Sequence, residues 1–274
     1  MDKEERKRCP LRVIVELFKT GEMWMGLSLI TICLSLGRGC MRHWDEGWRS
    51  EGGPAEKETD GGVKESGELT YVVSDNTVRV TCASSAIAIG DYVMPSSLDG
   101  CPVVEIGAFA FHSCTGMTSV TIPKDVACFG YGAFQGCGVL TNFCVDAGNS
   151  NCRAVGGILI SKKGCLIAVG GGLPGVTIPE GVTSIGDGAF GCCGKLTSVV
   201  IPDGVTSVGG AAFHGCSKLI SVEIPDSVIA IGASAFSGCA ELGEVRVSAK
   251  SKNRLSMLLK KSGVDVRNLK FVEK

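Results

Sequence analysis

Aromatic residues are scarce in this 274-residue chain, at 6%, and histidine is scarcer, with three copies. Few imidazoles leave few places for general-base chemistry at neutral pH. Charge of either sign is not in excess: Lys+Arg 27 against Asp+Glu 28 leaves −1, so no overall basic field is available to hold nucleic acid or an anionic membrane surface. Fifteen cysteines are present, but no Cys-x-x-Cys pair, which removes the ligand spacing of zinc knuckles and of thioredoxin-type redox sites. The apolar stretch from Trp24 to Leu36 falls short of the run of about 18–20 residues that crosses a bilayer, so no stable membrane span is expected. What is plentiful is glycine, 39 residues, in a chain of 45% hydrophobic content and mean hydropathy +0.27. That combination excludes global disorder and favours a turn-rich β protein.

The chain divides by composition. No residue from Met23 to Gly37 is charged, and this run suits the core of a signal peptide, so 1–44 reads as a signal-like or hydrophobic amino-terminal segment. An exported or cell-surface protein is expected, with a cytoplasmic one and a buried amino-terminal helix as the alternative. Residues 45–68 mix glycine with charges of both signs and read as a flexible linker. The pattern of 69–247 is periodic throughout, and 248–274 closes the chain.

Ile201-Pro202 recurs 23 residues later as Ile224-Pro225 and 23 earlier as Ile178-Pro179, with Ile122-Pro123 further upstream. A fixed period of this length is the mark of a solenoid. Four columns keep step with it. Strand residues alternate, as in Leu196, Val199 and Ile201; a Val-x-x-apolar-Gly group follows, ending in Gly107, Gly130, Gly186, Gly209 and Gly232. An Ala-Phe pair places Phe111, Phe134, Phe190, Phe213 and Phe236, and a cysteine lies three residues beyond each, at Cys114, Cys137, Cys193, Cys216 and Cys239. Strand ends at Met94, Ile122, Val145, Ile178, Ile201, Ile224 and Val247 give about seven coils, two of them enlarged. The unit 146–177 lacks the Ala-Phe and cysteine columns, and its runs Ile158 to Ile160 and Cys165 to Val169 flank a polar turn, as in a β-hairpin.

Stacking gives each column a physical reason. Strands of one sheet lie about 4.7–4.9 Å apart, so equivalent residues of successive coils form ladders. Alternation sends Val199 and Ile201 inward, while proline, with no N–H, stops the strand. The column glycine is expected to supply a positive φ after the second short strand. Each phenylalanine fills the interior and contributes roughly 1.5–3 kcal/mol if fully buried. Cysteine, small and readily buried, fits the bend. Elsewhere Cys192 with Cys193, and Cys144 with Cys152 and Cys165, are the candidates for bridging.

These motifs, most fully Ile201 to Leu219, resemble the leucine-rich repeats of BspA-like bacterial surface proteins over about residues 70–247. The resemblance implies a β-rich solenoid, a right-handed leucine-rich-repeat superhelix with a curved parallel sheet and a role in surface adhesion or protein recognition. Both ends differ from the repeats, as an open stack requires. At the front, 69–93 forms an amino-terminal cap in which Leu69 to Val73 and Thr77 to Thr81 alternate around Ser74-Asp75-Asn76. At the back, a helix over Asn253 to Lys261, a stop at Gly263 and a last strand over Leu269 to Val272 form a carboxy-terminal cap.

Catalytic signals are sparse. His43 lies near the linker; His112 and His214 share the position after phenylalanine, which varies and reads as surface. No nucleophile elbow, zinc-protease motif or phosphate loop has its supporting context, and Gly170 to Gly172 reads as a loop. Asp187, Asp203 and Asp226 read as turn formers. No cofactor, metal or nucleic acid is expected, and an enzyme, a hydrolase in particular, ranks last. The favoured reading is a non-catalytic binding module whose outward strand positions Ser119, Thr121, Asn142, Ser198, Val200, Ser221, Glu223, Glu244 and Arg246 meet a protein or glycan; the alternative is a structural spacer.

Overall fold

The computed structural model describes residues 63–83 and 90–273. The signal-like segment, His43 and most of the linker reading lie outside those residues. Along the chain, β1 (Val63–Ser66) pairs antiparallel with β2 (Leu69–Ser74), which turns at Asp75 and Asn76, φ 49° and 59°, into antiparallel β3 (Thr77–Ala83). The linker reading is corrected at Val63–Ser66: all four side chains are exposed, so no apolar period announced the strand, which backbone pairing with β2 and an ion pair from Lys64 to Asp99 at 2.8 Å hold in place.

Next come β4 (Gly90–Val93), β5 (Ser97–Leu98), β6 (Cys101–Ile106), β7 (Met117–Ile122), β8 (Cys128–Phe129) and β9 (Asn142–Val145). The enlarged unit supplies β10 (Cys152–Val155), β11 (Ile158–Ser161) and β12 (Cys165–Val169), all antiparallel neighbours, so the expected hairpin has a third strand. Regular coils then give β13 (Val176–Thr177), β14 (Ser184–Ile185), β15 (Ser198–Val200), β16 (Ser207–Val208), β17 (Ser221–Glu223), β18 (Ala230–Ile231) and β19 (Glu244–Val247). Helix α1 (Lys252–Lys261) packs Leu255 and Leu259 inward, Gly263 follows at φ 89°, and β20 (Lys270–Glu273) closes the stack.

Coils contribute one strand to a main parallel face and another to a second face, which in the regular coils from β14 on is only two residues long. The main face comprises β4-β7-β9 and β13-β15-β17-β19-β20; the second carries β3-β6-β8 and β12-β14-β16-β18. The protein is a β-solenoid of about eight turns. The count rises by one over the seven strand ends because β20 joins β19 in parallel register, Val245 opposite Phe271.

The columns align as expected. Phe190 and Phe213 stack with centroids 4.5 Å apart, and Phe213 and Phe236 at 5.0 Å; Phe111 and Phe134 stack at 5.3 Å. The series breaks at the hairpin, where Phe134 instead meets Phe143 edge-on at 5.2 Å. Two hydrophobic cores result. Ile158, Ile160, Leu166 and Val169 of the hairpin join the one that follows, while Leu159 and Ala168 join the one that precedes. Strand β11 is therefore buried on both faces, and its uninterrupted Ile158-Leu159-Ile160 run is what such a strand requires.

The column glycines need correction. None of Gly107, Gly130, Gly186, Gly209 and Gly232 has a positive φ. They are needed because the preceding coil passes too close for a side chain: a Cβ on Gly130 would lie 2.2 Å from the Ala108 nitrogen, and one on Gly232 2.4 Å from that of Gly210. Left-handed backbone occurs two residues later instead, at Phe109, Gly132, Gly188, Ala211 and Ser234. Only two of those five are glycine, and that hid the column.

Candidate functional site

The outward side of the main parallel face is the candidate site. Val199, Ile201, Val222, Ile224, Val245 and Val247 point inward and are buried, which leaves the alternate residues on the surface. Register lines them up in rows. One row runs Ser198, Ser221, Glu244 and Lys270; beside it run Thr177, Val200, Glu223, Arg246 and Val272. On the first half, Asp91, Ser119 and Asn142 share a row, as do Val93, Thr121 and Cys144.

All nine positions expected from sequence lie on this face, but not on one sheet. Ser119, Thr121 and Asn142 belong to a three-stranded panel and the other six to a five-stranded one, because no hydrogen bonds join β9 to β13. Sequence reasoning missed Asp91, Val93, Cys144, Thr177, Lys270 and Val272. For Lys270 and Val272 the signal was present in the last apolar strand, which read as a cap instead of an added rung.

The two panels differ chemically. On the first, Ser119 and Thr118 hydroxyls donate to Asp91 Oδ1 at 2.6 and 3.2 Å, and the Asn142 amide donates to Cys144 Sγ at 3.3 Å. On the second, Arg246 Nε donates to Glu244 Oε1 at 2.6 Å, and that carboxylate holds the guanidinium pKa above its ordinary value. Two apolar side chains stand out in the polar strip: Val200 is 55% exposed opposite Glu223, and Val93 is 71% exposed opposite Thr121.

The remaining candidates are placed as follows. His112 is half-buried, packs edge-on against Phe109 at 5.7 Å, and has its pKa lowered by burial. The position it shares with His214 is not uniformly surface, since Gln135 there is buried. Asp187 does more than form a turn: its Oδ1 accepts from the Gly210 N–H of the next coil at 2.6 Å, and Asp226 accepts from the Ser248 hydroxyl at 2.6 Å. Gly170 to Gly172 is a buried loop against the backbone of Cys137 to Thr141. Among the described residues no His, Cys, Asp or Glu side chains converge in a group of three suited to a metal, and no helix is long and apolar enough to cross a membrane.

The bridging candidates are corrected: Cys144, Cys152, Cys165, Cys192 and Cys193 are all free thiols. The column cysteines have a more specific role than filling a bend. Cys137 donates its thiol hydrogen to the Phe111 carbonyl at 3.0 Å, Cys216 to Phe190 at 3.0 Å and Cys239 to Phe213 at 3.1 Å. Each thiol thus ties a coil to the phenylalanine of the coil before it.

A solenoid with in-register core ladders and a polar parallel-sheet face is the architecture of a leucine-rich-repeat protein. The chain belongs to the BspA-type leucine-rich repeat region family, which matches residues 75–154 and 171–269 in six copies. Among solved structures it is similar to a leucine-rich repeat protein of T. pallidum, at 28% identity over 67% of this chain and 71% of that one, TM-score 0.36. It is also similar to a leucine-rich repeat protein from Eubacterium ventriosum, at 25% identity over 59% of this chain and 42% of that one, TM-score 0.49. A third similar structure is the pneumococcal vaccine antigen PcpA, at 14% identity over 69% of this chain and 82% of that one, TM-score 0.33. No curated protein matches the chain significantly.

Proposed function

We propose that this protein is a non-catalytic recognition module, exported to the cell surface, that presents the outward side of its main parallel face to a protein or glycan. The observation carrying this reading is the division of labour along each strand. Inward positions are spent on ladders, whereas outward ones change chemistry from rung to rung, from Ser198 to Ser221 to Glu244 to Lys270. A stack that needed only length would have no use for that variety, and a shallow, extended strip suits a macromolecule better than a small substrate. Membership of a family of bacterial surface-type repeats supports the location.

The test is capture of host-surface or cell-wall material by purified protein, compared with a variant carrying Ser198→Ala, Ser221→Ala, Glu223→Ala and Glu244→Ala together. At least a tenfold loss of capture with unchanged folding is expected. Undiminished capture would move the site off this face. Amino-terminal sequencing of protein from the producing cell tests export, with removal of the stretch that includes Trp24 to Leu36 as the expected result.

A further inference from the structure

Between regular coils the Ala-Phe turns are joined by three backbone hydrogen bonds. Phe109, Phe111 and Ser113 N–H groups donate to Tyr131, Ala133 and Gln135 carbonyls at 2.9, 2.8 and 2.9 Å. The same rungs run from Gly188, Phe190 and Cys192 to Gly210, Ala212 and His214 at 3.0, 2.7 and 2.7 Å. They recur from Ala211, Phe213 and Gly215 to the next coil at 2.8, 2.7 and 2.8 Å. The hairpin breaks the series. Where Gly132, Phe134 and Gly136 should donate, only the Gly136 rung forms among the described residues, stretched to 3.4 Å against the Gly191 carbonyl. The Ala189 carbonyl that would serve Phe134 instead accepts from the hairpin's Val169 N–H at 2.9 Å.

A small cavity lies at this seam, with about 10 Å³ open to the centre of a water molecule and Gly132, Phe134, Gln135, Ala168, Gly188 and Gly191 among its lining. Gln135 is only 5% exposed, and its Oε1 is buried without a hydrogen-bond donor. Its Nε2 has a weak partner, donating to Cys192 Sγ at 3.5 Å. Glycine keeps the space free: a Cβ on Gly132 would come within 2.8 Å of Gln135 Oε1, and one on Gly191 within 2.9 Å of the amide carbon.

We propose that the seam holds one structural water, which donates to Gln135 Oε1 and accepts from the N–H of Phe134 or Gly132 in place of the missing rungs. The volume suits one water, and the lining offers both an acceptor and donors left without partners, the condition under which a buried water is retained. An apolar occupant would leave those groups unsatisfied.

A crystal structure of the full chain at a resolution that shows ordered waters tests this directly. Density for one water within hydrogen-bonding distance of the Gln135 amide and of a turn N–H is the expected result. An empty cavity alongside other ordered buried waters overturns the proposal, as does an amide turned onto a protein donor. The Gln135→Met variant gives a second readout by sign. With a bridging water in place, losing its acceptor lowers Tm; with a dry cavity, removing a buried unpaired acceptor raises Tm or leaves it unchanged, and either of those results counts against the water.

Discussion

Alkali should loosen the coils through their thiols. Cys137 and Cys216 are buried, and Cys239 is mostly so. The Cys137 pKa is raised above the ordinary thiol value of 9.0 by its hydrogen bond with Cys114 and by burial. Cys239 is raised in the same way by Cys216 and by burial. Cys216 is raised chiefly by Cys193, with Cys239 opposing and burial adding. Each group is neutral when protonated, so a folded-state pKa above the unfolded value favours the folded state fully below about pH 9. As pH climbs past that point the unfolded chain releases its thiol protons while the folded chain keeps them, and stability falls. The loss per thiol is RT ln(1 + 10^(pH − 9)), about 1.4 kcal/mol at about pH 10, so Cys216 and Cys239 together lose about 3 kcal/mol, while the loss at Cys137 is offset by its partner Cys114, whose pKa the same hydrogen bond lowers. That is a large part of the stability of an ordinary domain, roughly 5–15 kcal/mol. The assay is urea unfolding under reducing conditions from about pH 8 to about pH 10, for the native protein and for Cys216→Ser. A serine hydroxyl donates to the same Phe190 carbonyl but does not titrate in this range, so the variant should lose less stability, by about 1.4 kcal/mol in total between about pH 8 and about pH 10. Tyr92, pushed up to about 12 by burial, acts higher and equally in both proteins. Identical slopes would refute the account of the thiol ladder.

Three further outcomes follow from the packing. Phe213→Ala, which removes a fully buried ring stacked on both sides, should cost about 3–5 kcal/mol in urea unfolding, whereas a cost under about 1 kcal/mol would mean the column does not carry the core. Gly130→Ala should destabilise by about 2 kcal/mol or more because its methyl meets the Ala108 nitrogen, while Gly138→Ala, with nothing within 4 Å, should be close to neutral; equal effects would remove close approach as the reason for the column. Ala211→Gly, at φ 46°, should raise Tm, since relief of left-handed strain, about 1–2 kcal/mol, exceeds the added chain entropy of glycine, about 0.5–1 kcal/mol.

The features legible in the sequence are those that one coil repeats in one chemistry. Ile201-Pro202 and its copies marked the ends of strands, and Ala212-Phe213 with its copies marked the core, because both rely on residue types that few other sites accept. Glycine was visible at Gly130 and Gly232 but its use was not: the residue offers both a positive φ and the absence of a side chain, and only the neighbouring backbone decides which is needed. The left-handed column was hidden because Phe109, Ala211 and Ser234 occupy it beside two glycines. On the candidate site, alternation located the outward residues strand by strand. It could not reveal that β9 and β13 do not pair, since that break depends on where the hairpin lies in three dimensions.

That break shapes how the face can work. The hairpin places Ile158 and Ile160 in one core and Leu159 in the other, so it acts as a wall across the stack, and the parallel face is divided at the same point. On the five-stranded panel Glu223, Glu244, Arg246 and Lys270 occupy neighbouring rungs, whereas on the three-stranded panel the exposed rows hold Ser119, Thr121, Asn142 and Cys144, with Asp91 already bound by two hydroxyls. Charged side chains are therefore more numerous beyond the wall, where the two acids and two bases balance and Arg246 is already paired with Glu244, so that panel offers a pattern of both signs and not a net field. A partner long enough to cover both panels must cross the seam, where no main-face backbone ladder continues. The outward face is then better described as two adjoining surfaces of different chemistry than as one uniform strip.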